Sequence, residues 1–142
     1  MMTVINTSFH KGIHIVADLW ECQNKEKLNF VETVKEVMKK AVEESELTSL
    51  KDYFFQFKPV GVTGVFVLSQ SHFSIHTWPE KDFASIDIFT CGPPENALKA
   101  FECICNELKP QRIQKKILER MDEGRKIETV KAMNTLSVKT RI

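Results

Sequence analysis

The stretch FSIHTWPEKDFASIDIFT, residues 73 to 90, decides the fold because it holds two strand-like runs on either side of a short loop. Phe73 to Trp78 and Phe83 to Thr90 are rich in β-branched and aromatic side chains, which favour strands. Residues 79 to 82 between them comprise a proline and charged residues, and they suit a four-residue loop. The pattern predicts an antiparallel hairpin.

Pairing of Trp78 with Phe83 across this loop sets the register of the whole hairpin. Ser71 then lies opposite Thr90, and the thiol of Cys91 lies at the same end. We therefore expect a hydroxyl and a thiol to be neighbours there, with an imidazole nearby.

Upstream of the hairpin, the hydrophobic pattern predicts one helix among strands. Residues 13 to 20 alternate between two faces, as in a strand, whereas the apolar residues between Leu28 and Val42 recur at helical spacing. Two further runs, Tyr53 to Phe57 and Val65 to Leu68, are strand-like and are separated by proline and glycine.

Downstream, the segment from Ala97 to Leu108 again has helical spacing, and a polar tail begins at Gly124. Residues 113 to 121 fit either a helix or a last strand. We expect the tail to be mobile or docked on a partner. The order of elements predicts an α+β fold, a two-layer α/β sandwich in which a mostly antiparallel sheet carries the helices on one face.

The composition excludes several classes of function. The chain has 142 residues, of which 42% are hydrophobic and 27% charged, as in one ordinary domain spanning residues 1–142. Lys and Arg number 20 and Asp and Glu 19, so a net charge of +1 predicts binding neither to nucleic acid nor to an anionic membrane. We expect the partner to be a small molecule or another protein chain.

The cysteines predict neither a disulfide framework nor a zinc ribbon, because Cys22, Cys91, Cys103 and Cys105 include no CxxC pair. No segment approaches the ~20 apolar residues of a membrane helix, and the N-terminal residues lack the pattern of a signal peptide. We therefore expect a cytoplasmic protein with reduced thiols.

Reactive side chains are concentrated in SQSHFSIHTWPE, residues 69 to 80, and three explanations compete for them. The first is a metal site of His72, His76 and Cys91, but histidines four residues apart on a strand are separated by ~13 Å along the chain, too far for one ion unless the strand bends. A serine or cysteine nucleophile with a histidine base would suit acyl transfer, although no GxSxG motif is present. In the third explanation, one serine is itself converted into the cofactor.

The stretch GVTGVFVLSQSHFSIHTWPEKDFASIDIFTCG, residues 61 to 92, closely resembles the short, prokaryotic form of S-adenosylmethionine decarboxylase. HIVADLWEC, residues 14 to 22, and KAFECICNELK, residues 99 to 109, resemble its flanking segments. Two positions differ from the family's usual pattern: Gln70 stands where glutamate is usual, and Thr63 where serine is usual.

The resemblance implies that the chain cuts itself and makes its own cofactor. The cut falls between Gln70 and Ser71 and gives a β chain, residues 1–70, and an α chain, residues 71–142, that begins with a pyruvoyl group. The carbonyl of that group forms a Schiff base with the substrate's amine and accepts the electrons left when carbon dioxide departs. The resemblance implies neither a metal nor pyridoxal phosphate.

The family's catalytic roles match four positions. Ser71 becomes the pyruvoyl group, and His76 assists the cut, since an imidazole can remove a proton near neutral pH. Thr63 keeps a hydroxyl that assists the same step. Cys91 returns a proton to the decarboxylated carbon.

The family's substrate-binding roles match four further positions. Phe57 and Trp78 stack near the adenine and attract the sulfonium, while Glu80 accepts hydrogen bonds from the ribose hydroxyls. Gln70 lies next to the substrate's amine and lacks the negative charge that is usual there. His72 is expected at most to position other groups.

The resemblance further implies a homodimer of cut protomers whose chains share each active site. The leading function is decarboxylation of S-adenosylmethionine to the aminopropyl donor for spermidine synthesis. Gln70, with Lys58 beside the pocket, keeps open a pyruvoyl-dependent decarboxylase of ornithine or arginine. A third hypothesis is an uncut, non-catalytic homologue that serves as an activating or binding subunit.

Overall fold

The computed structural model describes residues 11–124 and 126–130. The described strands are β1 (Gly12–Cys22), β2 (Ser49–Gln56), β3 (Val62–Leu68), β4 (Ser71–Trp78), β5 (Phe83–Thr90), β6 (Pro110–Arg120) and β7 (Glu128–Thr129). The described helices are α1 (Val31–Glu44) and α2 (Pro94–Leu108), and short 3-10 turns span Lys25–Leu28 and Pro79–Lys81.

The strands form one sheet in the order β2-β3-β4-β5-β1-β6-β7, and every neighbouring pair is antiparallel. Both helices pack on the same face, α1 over β2 and β3 and α2 over β1 and β5. Large side chains such as Ile15, Met38, Ile86 and Phe101 are buried between the two layers, which holds them together. This arrangement confirms the predicted α+β sandwich. Neither described helix is long and apolar enough to span a membrane.

The hairpin of β4 and β5 has the predicted register. Trp78 lies opposite Phe83, and Ser71 lies opposite Thr90. The loop contains the 3-10 turn, after which Asp82 adopts a left-handed conformation with φ 50° and brings the chain back into the sheet. The prediction from the sequence is therefore confirmed along the whole length of both strands.

Helix α1 begins later than the apolar spacing predicts, at Val31 and not near Leu28. The Gln56 side chain at the end of β2 accepts a hydrogen bond from the Val31 N–H at 2.8 Å and donates one to the Asn29 carbonyl at 3.0 Å. The Thr77 hydroxyl donates to the Leu28 carbonyl at 2.8 Å. These hydrogen bonds occupy the backbone groups that a helix starting nearer the N-terminus would use. The residues before Val31 therefore form a separate turn.

Residues 113 to 121, which periodicity left as helix or strand, lie in β6 up to Arg120. The whole of β6 pairs with β1, from Pro110 opposite Cys22 to Arg120 opposite Gly12. Part of the predicted polar tail also joins the sheet, because Glu128–Thr129 pairs with β6. Residues 131–142 lie outside the described part of the chain.

The strand order interleaves the first and second halves of the sequence. β1 lies between β5 and β6, although it precedes them by more than sixty residues of chain. β3 and β4 are also neighbours, joined by a two-residue turn. A break in the backbone within that turn would leave both halves bound by ladders of hydrogen bonds on either side.

A Gly64→Ala substitution tests the packing at the centre of β3. Gly64 lies opposite Phe54, and a methyl group built on it would come 2.2 Å from the Phe54 ring. That ring packs against the buried Phe66. We expect the variant to lose about 1–3 kcal/mol of unfolding free energy, measured by urea denaturation, because the ring must move. An unchanged midpoint would contradict this packing.

Candidate active site

One group of predicted residues, which we call the cleavage end, comprises Gln70, Ser71 and Cys91. Ser71 is the first residue of β4, and its hydroxyl oxygen lies 3.6 Å from the Cys91 sulfur. The Cys91 N–H donates a hydrogen bond to the Gln70 carbonyl oxygen at 3.2 Å. The predicted meeting of a hydroxyl and a thiol is confirmed, and both lie beside the Gln70–Ser71 peptide bond.

The backbone at the cleavage end is strained. Ser71 has a φ of 121°, a conformation that residues with a side chain rarely adopt. It follows a two-residue turn formed by Ser69 and Gln70, since Leu68 pairs with Ser71. A backbone conformation of this kind lowers the stability of the fold by about 1–3 kcal/mol, and the surrounding structure must hold the residue in place. The strain falls on the residue whose hydroxyl is predicted to attack.

Cys91 differs from the other three cysteines in its surroundings. It is half-buried, and its sulfur lies 3.3 Å from the sulfur of Met121. Cys22, Cys103 and Cys105 are buried, and burial, joined at Cys103 by the nearby Glu44 carboxylate, raises the pKa of each thiol to about 12. The structure supports their predicted role as small apolar residues.

Alkylation with iodoacetamide at neutral pH is expected to modify Cys91 first in the native protein. Thiolates are the reactive form, and a pKa near 12 leaves almost none at Cys22, Cys103 or Cys105. Peptide mass spectrometry after timed quenching would give the rate at each site. A Cys91→Ser variant serves as the control and should stay unmodified. Labelling of Cys22 as fast as Cys91 would contradict the burial described.

A second group of predicted residues, which we call the aromatic end, comprises Phe57, Thr63, His76, Trp78 and Glu80. The Thr63 hydroxyl lies 2.9 Å from Nδ1 of His76, and the rings of His76 and Trp78 are 6.2 Å apart. Phe57 is 48% exposed and Trp78 41%, so both rings are accessible to a ligand. Glu80 is exposed on the adjoining 3-10 turn.

The two ends lie apart within one chain. His76 lies five positions after Ser71 along β4, which at the rise of a strand is about 16 Å. Side chains of that size cannot bring the His76 imidazole to the Ser71 hydroxyl. The imidazole predicted beside the hydroxyl and the thiol is therefore not His76 of the same chain.

The sheet face that carries the aromatic end has neither described helix packed on it, and we call it the open face. Its exposed apolar side chains are large, including Tyr53 at 64%, Phe55 at 47% and Val67 at 45%. Contiguous exposed aromatic residues of this kind mark a surface that binds another molecule.

Sequence reasoning missed one cluster on the open face, formed by His14, His72, Asp87 and Arg120. Nε2 of His14 and Nε2 of His72 both contact Oδ1 of Asp87, the latter at 3.3 Å. These three are not the residues first considered for a metal, His72, His76 and Cys91. Register could have revealed them, because His14 and His72 both lie opposite Phe89, two residues from Asp87 on β5.

Comparisons with known proteins agree with this geometry. The family model described as S-adenosylmethionine decarboxylase matches residues 13–121, which include both ends of the site. The chain belongs to the S-adenosylmethionine decarboxylase family. This confirms the resemblance inferred from residues 61 to 92.

Members of the family from several bacteria are close in sequence. An S-adenosylmethionine decarboxylase proenzyme from Sulfurihydrogenibium sp. is 50% identical over 109 residues, covering 77% of this chain and 81% of the relative. A proenzyme of the same name from Thermotoga petrophila is 46% identical over 102 residues, covering 72% and 78%. The crystal structure of the adenosylmethionine decarboxylase from Aquifex aeolicus superposes with a TM-score of 0.76 at 39% identity, covering 84% of this chain and all of that one.

Proposed function

We propose that this chain cuts itself between Gln70 and Ser71 and then decarboxylates S-adenosylmethionine to the aminopropyl donor for spermidine synthesis. Membership of the S-adenosylmethionine decarboxylase family and the name proenzyme in its relatives support this function. The observation that carries it is the cleavage end. A strained serine there lies 3.6 Å from a half-buried thiol and begins a strand just after an exposed turn.

The proposed cut converts Ser71 in three balanced steps. The Ser71 hydroxyl oxygen attacks the carbonyl carbon of Gln70, and the carbon–nitrogen bond breaks, which gives an ester and a free amine. Loss of the α-proton of residue 71 then forms a double bond between its Cα and Cβ, breaks the bond from Cβ to the ester oxygen and releases Gln70 as a carboxylate. Water finally replaces the nitrogen of residue 71, which leaves as ammonia. The product is a pyruvoyl group, whose carbonyl supplies the electron sink that decarboxylation needs.

The chain's own residues hold the substrate and move protons around that group. The exposed rings of Phe57 and Trp78 offer faces to the adenine and the sulfonium, and the Glu80 carboxylate accepts hydrogen bonds from the ribose. The Cys91 thiol, at the cleavage end, returns a proton to the carbon that loses carbon dioxide. His76, held by the Thr63 hydroxyl, removes the α-proton during the cut.

These roles require two copies of the chain, because Ser71 and His76 lie at opposite ends of β4. A two-fold axis lying between two stacked open faces and perpendicular to β4 would reverse one strand relative to the other. The cleavage end of one copy would then face the aromatic end of its partner, and two identical sites would form. The exposed aromatic residues of the open face support burial of this surface in a homodimer.

The interleaved sheet supports a stable cut protein. After the cut, β1 of the first fragment stays paired with β5 and β6 of the second, and β3 stays paired with β4. The fragments have 70 and 72 residues, the latter being 142 minus 70. We expect them to separate only on denaturation, so the chain acts as one folded unit of two polypeptides.

Release of labelled carbon dioxide tests the substrate. The purified protein is incubated separately with carboxyl-labelled S-adenosylmethionine, ornithine and arginine, and we expect release from S-adenosylmethionine alone. Release from ornithine or arginine only would favour a decarboxylase of a basic amino acid. No release from any of the three, with a single uncut band on a denaturing gel, would favour a non-catalytic homologue and contradict the proposal.

A Gln70→Glu variant tests the missing charge at the cleavage end. Gln70 is exposed, with its amide oxygen close to Gly92, and a carboxylate there would face a substrate with a cationic amine and sulfonium. An exposed charge pair contributes about 1 kcal/mol of binding free energy, so the KM for S-adenosylmethionine should fall about fivefold. Gln23→Glu, an exposed change elsewhere, is the control. An unchanged or higher KM in the Gln70 variant would contradict this role.

We place the protein in the cytoplasm. The described cysteines are all free thiols, as expected in a reducing compartment. Oxidation of Cys91 would block its proposed proton transfer, so this location also suits the chemistry.

A further inference from the structure

The cluster of His14, His72, Asp87 and Arg120 bridges four strands next to the cleavage end. His72 follows Ser71 on β4, Asp87 lies on β5, His14 on β1 and Arg120 on β6. The His14 and His72 ring centroids lie 6.0 Å apart, and the Arg120 guanidinium lies 4.3 Å from the centre of the Phe89 ring. These residues form one connected group on the open face.

The direction of each hydrogen bond in the cluster follows from the donors present. A guanidinium only donates, so Nδ1 of His14 accepts from Arg120 at 3.1 Å. Nε2 of His14 then carries the hydrogen and donates to the Asp87 carboxylate. Nε2 of His72 donates to the same oxygen at 3.3 Å. Asp87 is therefore the common acceptor, and the protonated Nε2 of His14 is not available to a metal ion in this arrangement.

The cluster is connected to residue 71, which is to react, through the backbone of His72. Residue 71 is joined to the rest of its fragment after the cut only by the peptide bond to His72. A new chain end frays unless side chains hold it, and reactive groups need to be held closely for efficient catalysis. Loss of the Gln70–Ser71 bond also removes the φ torsion that strains Ser71, so the turn no longer restrains this residue.

We propose that His72 is a positioning residue whose bond to Asp87, itself held by His14 and Arg120, fixes the end of the cut chain and so orients the pyruvoyl group. The role deepens the proposed function and rests on it. His72 acts through the backbone of residue 71 and transfers no proton. A donor of similar reach should therefore replace its imidazole.

The test compares His72→Ala with His72→Gln, whose amide nitrogen can occupy the place of Nε2. We expect kcat per cut site to fall about 10-fold to 100-fold in His72→Ala, with KM changed less than about threefold. His72→Gln should keep kcat within about threefold of the wild type, because it still donates to Asp87. The cut fraction, read from a denaturing gel, normalises each kcat.

Asp87→Ala should lower kcat about as much as His72→Ala, and the double variant should be no worse than either single one. Asp52→Ala is the matched control, since Asp52 is a carboxylate on β2 that forms an ion pair with Lys35 at 3.4 Å. Hydrogen exchange gives a readout independent of catalysis. Amides at the start of β4 should exchange about 10-fold faster in His72→Ala and Asp87→Ala but not in His72→Gln or Asp52→Ala.

The outcomes separate this proposal from the function on which it rests. Suppose that the wild type is cut and active, and that His72→Ala has a kcat within twofold of the wild type and unchanged hydrogen exchange. That result would overturn the positioning role of His72 and leave the proposed function standing. A His72→Gln variant as slow as His72→Ala would also overturn that role, because an imidazole would then be needed for more than a hydrogen bond. A wild type that is uncut and releases no carbon dioxide would overturn the proposed function, and the positioning role of His72 with it.

Discussion

The Ser71→Ala variant is expected to remain one uncut chain and to release no carbon dioxide from S-adenosylmethionine. Without the hydroxyl there is no nucleophile for the Gln70 carbonyl, so neither the ester nor the pyruvoyl group forms. A denaturing gel and the labelled-substrate assay measure the two losses. Activity should be indistinguishable from that of a blank.

Two nearby serines provide controls for Ser71→Ala. Ser69 lies in the turn before the cleavage site, and Ser74 lies further along β4. Ser69→Ala and Ser74→Ala should both still be cut between Gln70 and Ser71. A Ser71→Ala chain that is cut normally would show that another residue is converted.

Co-expression of two inactive variants should restore the cut in one of them. In a dimer of Ser71→Ala with His76→Ala, one site combines the intact Ser71 of one chain with the intact His76 of the other. The His76→Ala chain should therefore be cut in the mixed dimer but very slowly by itself, and the Ser71→Ala chain should stay uncut. Different affinity tags allow the mixed dimer to be purified and its bands to be assigned.

The control replaces the helping chain by one that carries both substitutions. A His76→Ala chain paired with a Ser71→Ala, His76→Ala chain has no imidazole at position 76 and should stay uncut. Normal cutting of His76→Ala by itself would contradict the role of His76. An uncut His76→Ala chain in a verified mixed dimer would contradict sharing of the site between chains.

The local elements were predictable from the sequence because neighbouring residues determine them. The hairpin register followed from pairing Trp78 with Phe83 across a short loop, and it extended correctly to Ser71 and Thr90. Residues 113 to 121 were not predictable in this way. Their strand conformation depends on pairing with β1, which lies about a hundred residues earlier in the sequence.

The site was harder to predict than the fold because residues close in sequence are not always close in space. Ser71 and His76 belong to one short motif, yet an extended strand separates them by about 16 Å. The opposite occurs at Asp87, where His14 joins from β1, seventy-three residues away. The motif predicts residues at both ends of the site, and the length of the extended strand β4 shows that one chain cannot bring them together.

Intact-mass spectrometry of the denatured wild-type protein tests the central claim most directly, because it reports both the position of the cut and the fate of Ser71. The account predicts two fragments, residues 1–70 and residues 71–142, and the second should be lighter by the mass of one ammonia than a fragment that begins with serine. A single full-length mass, or a second fragment that still begins with serine, would contradict it.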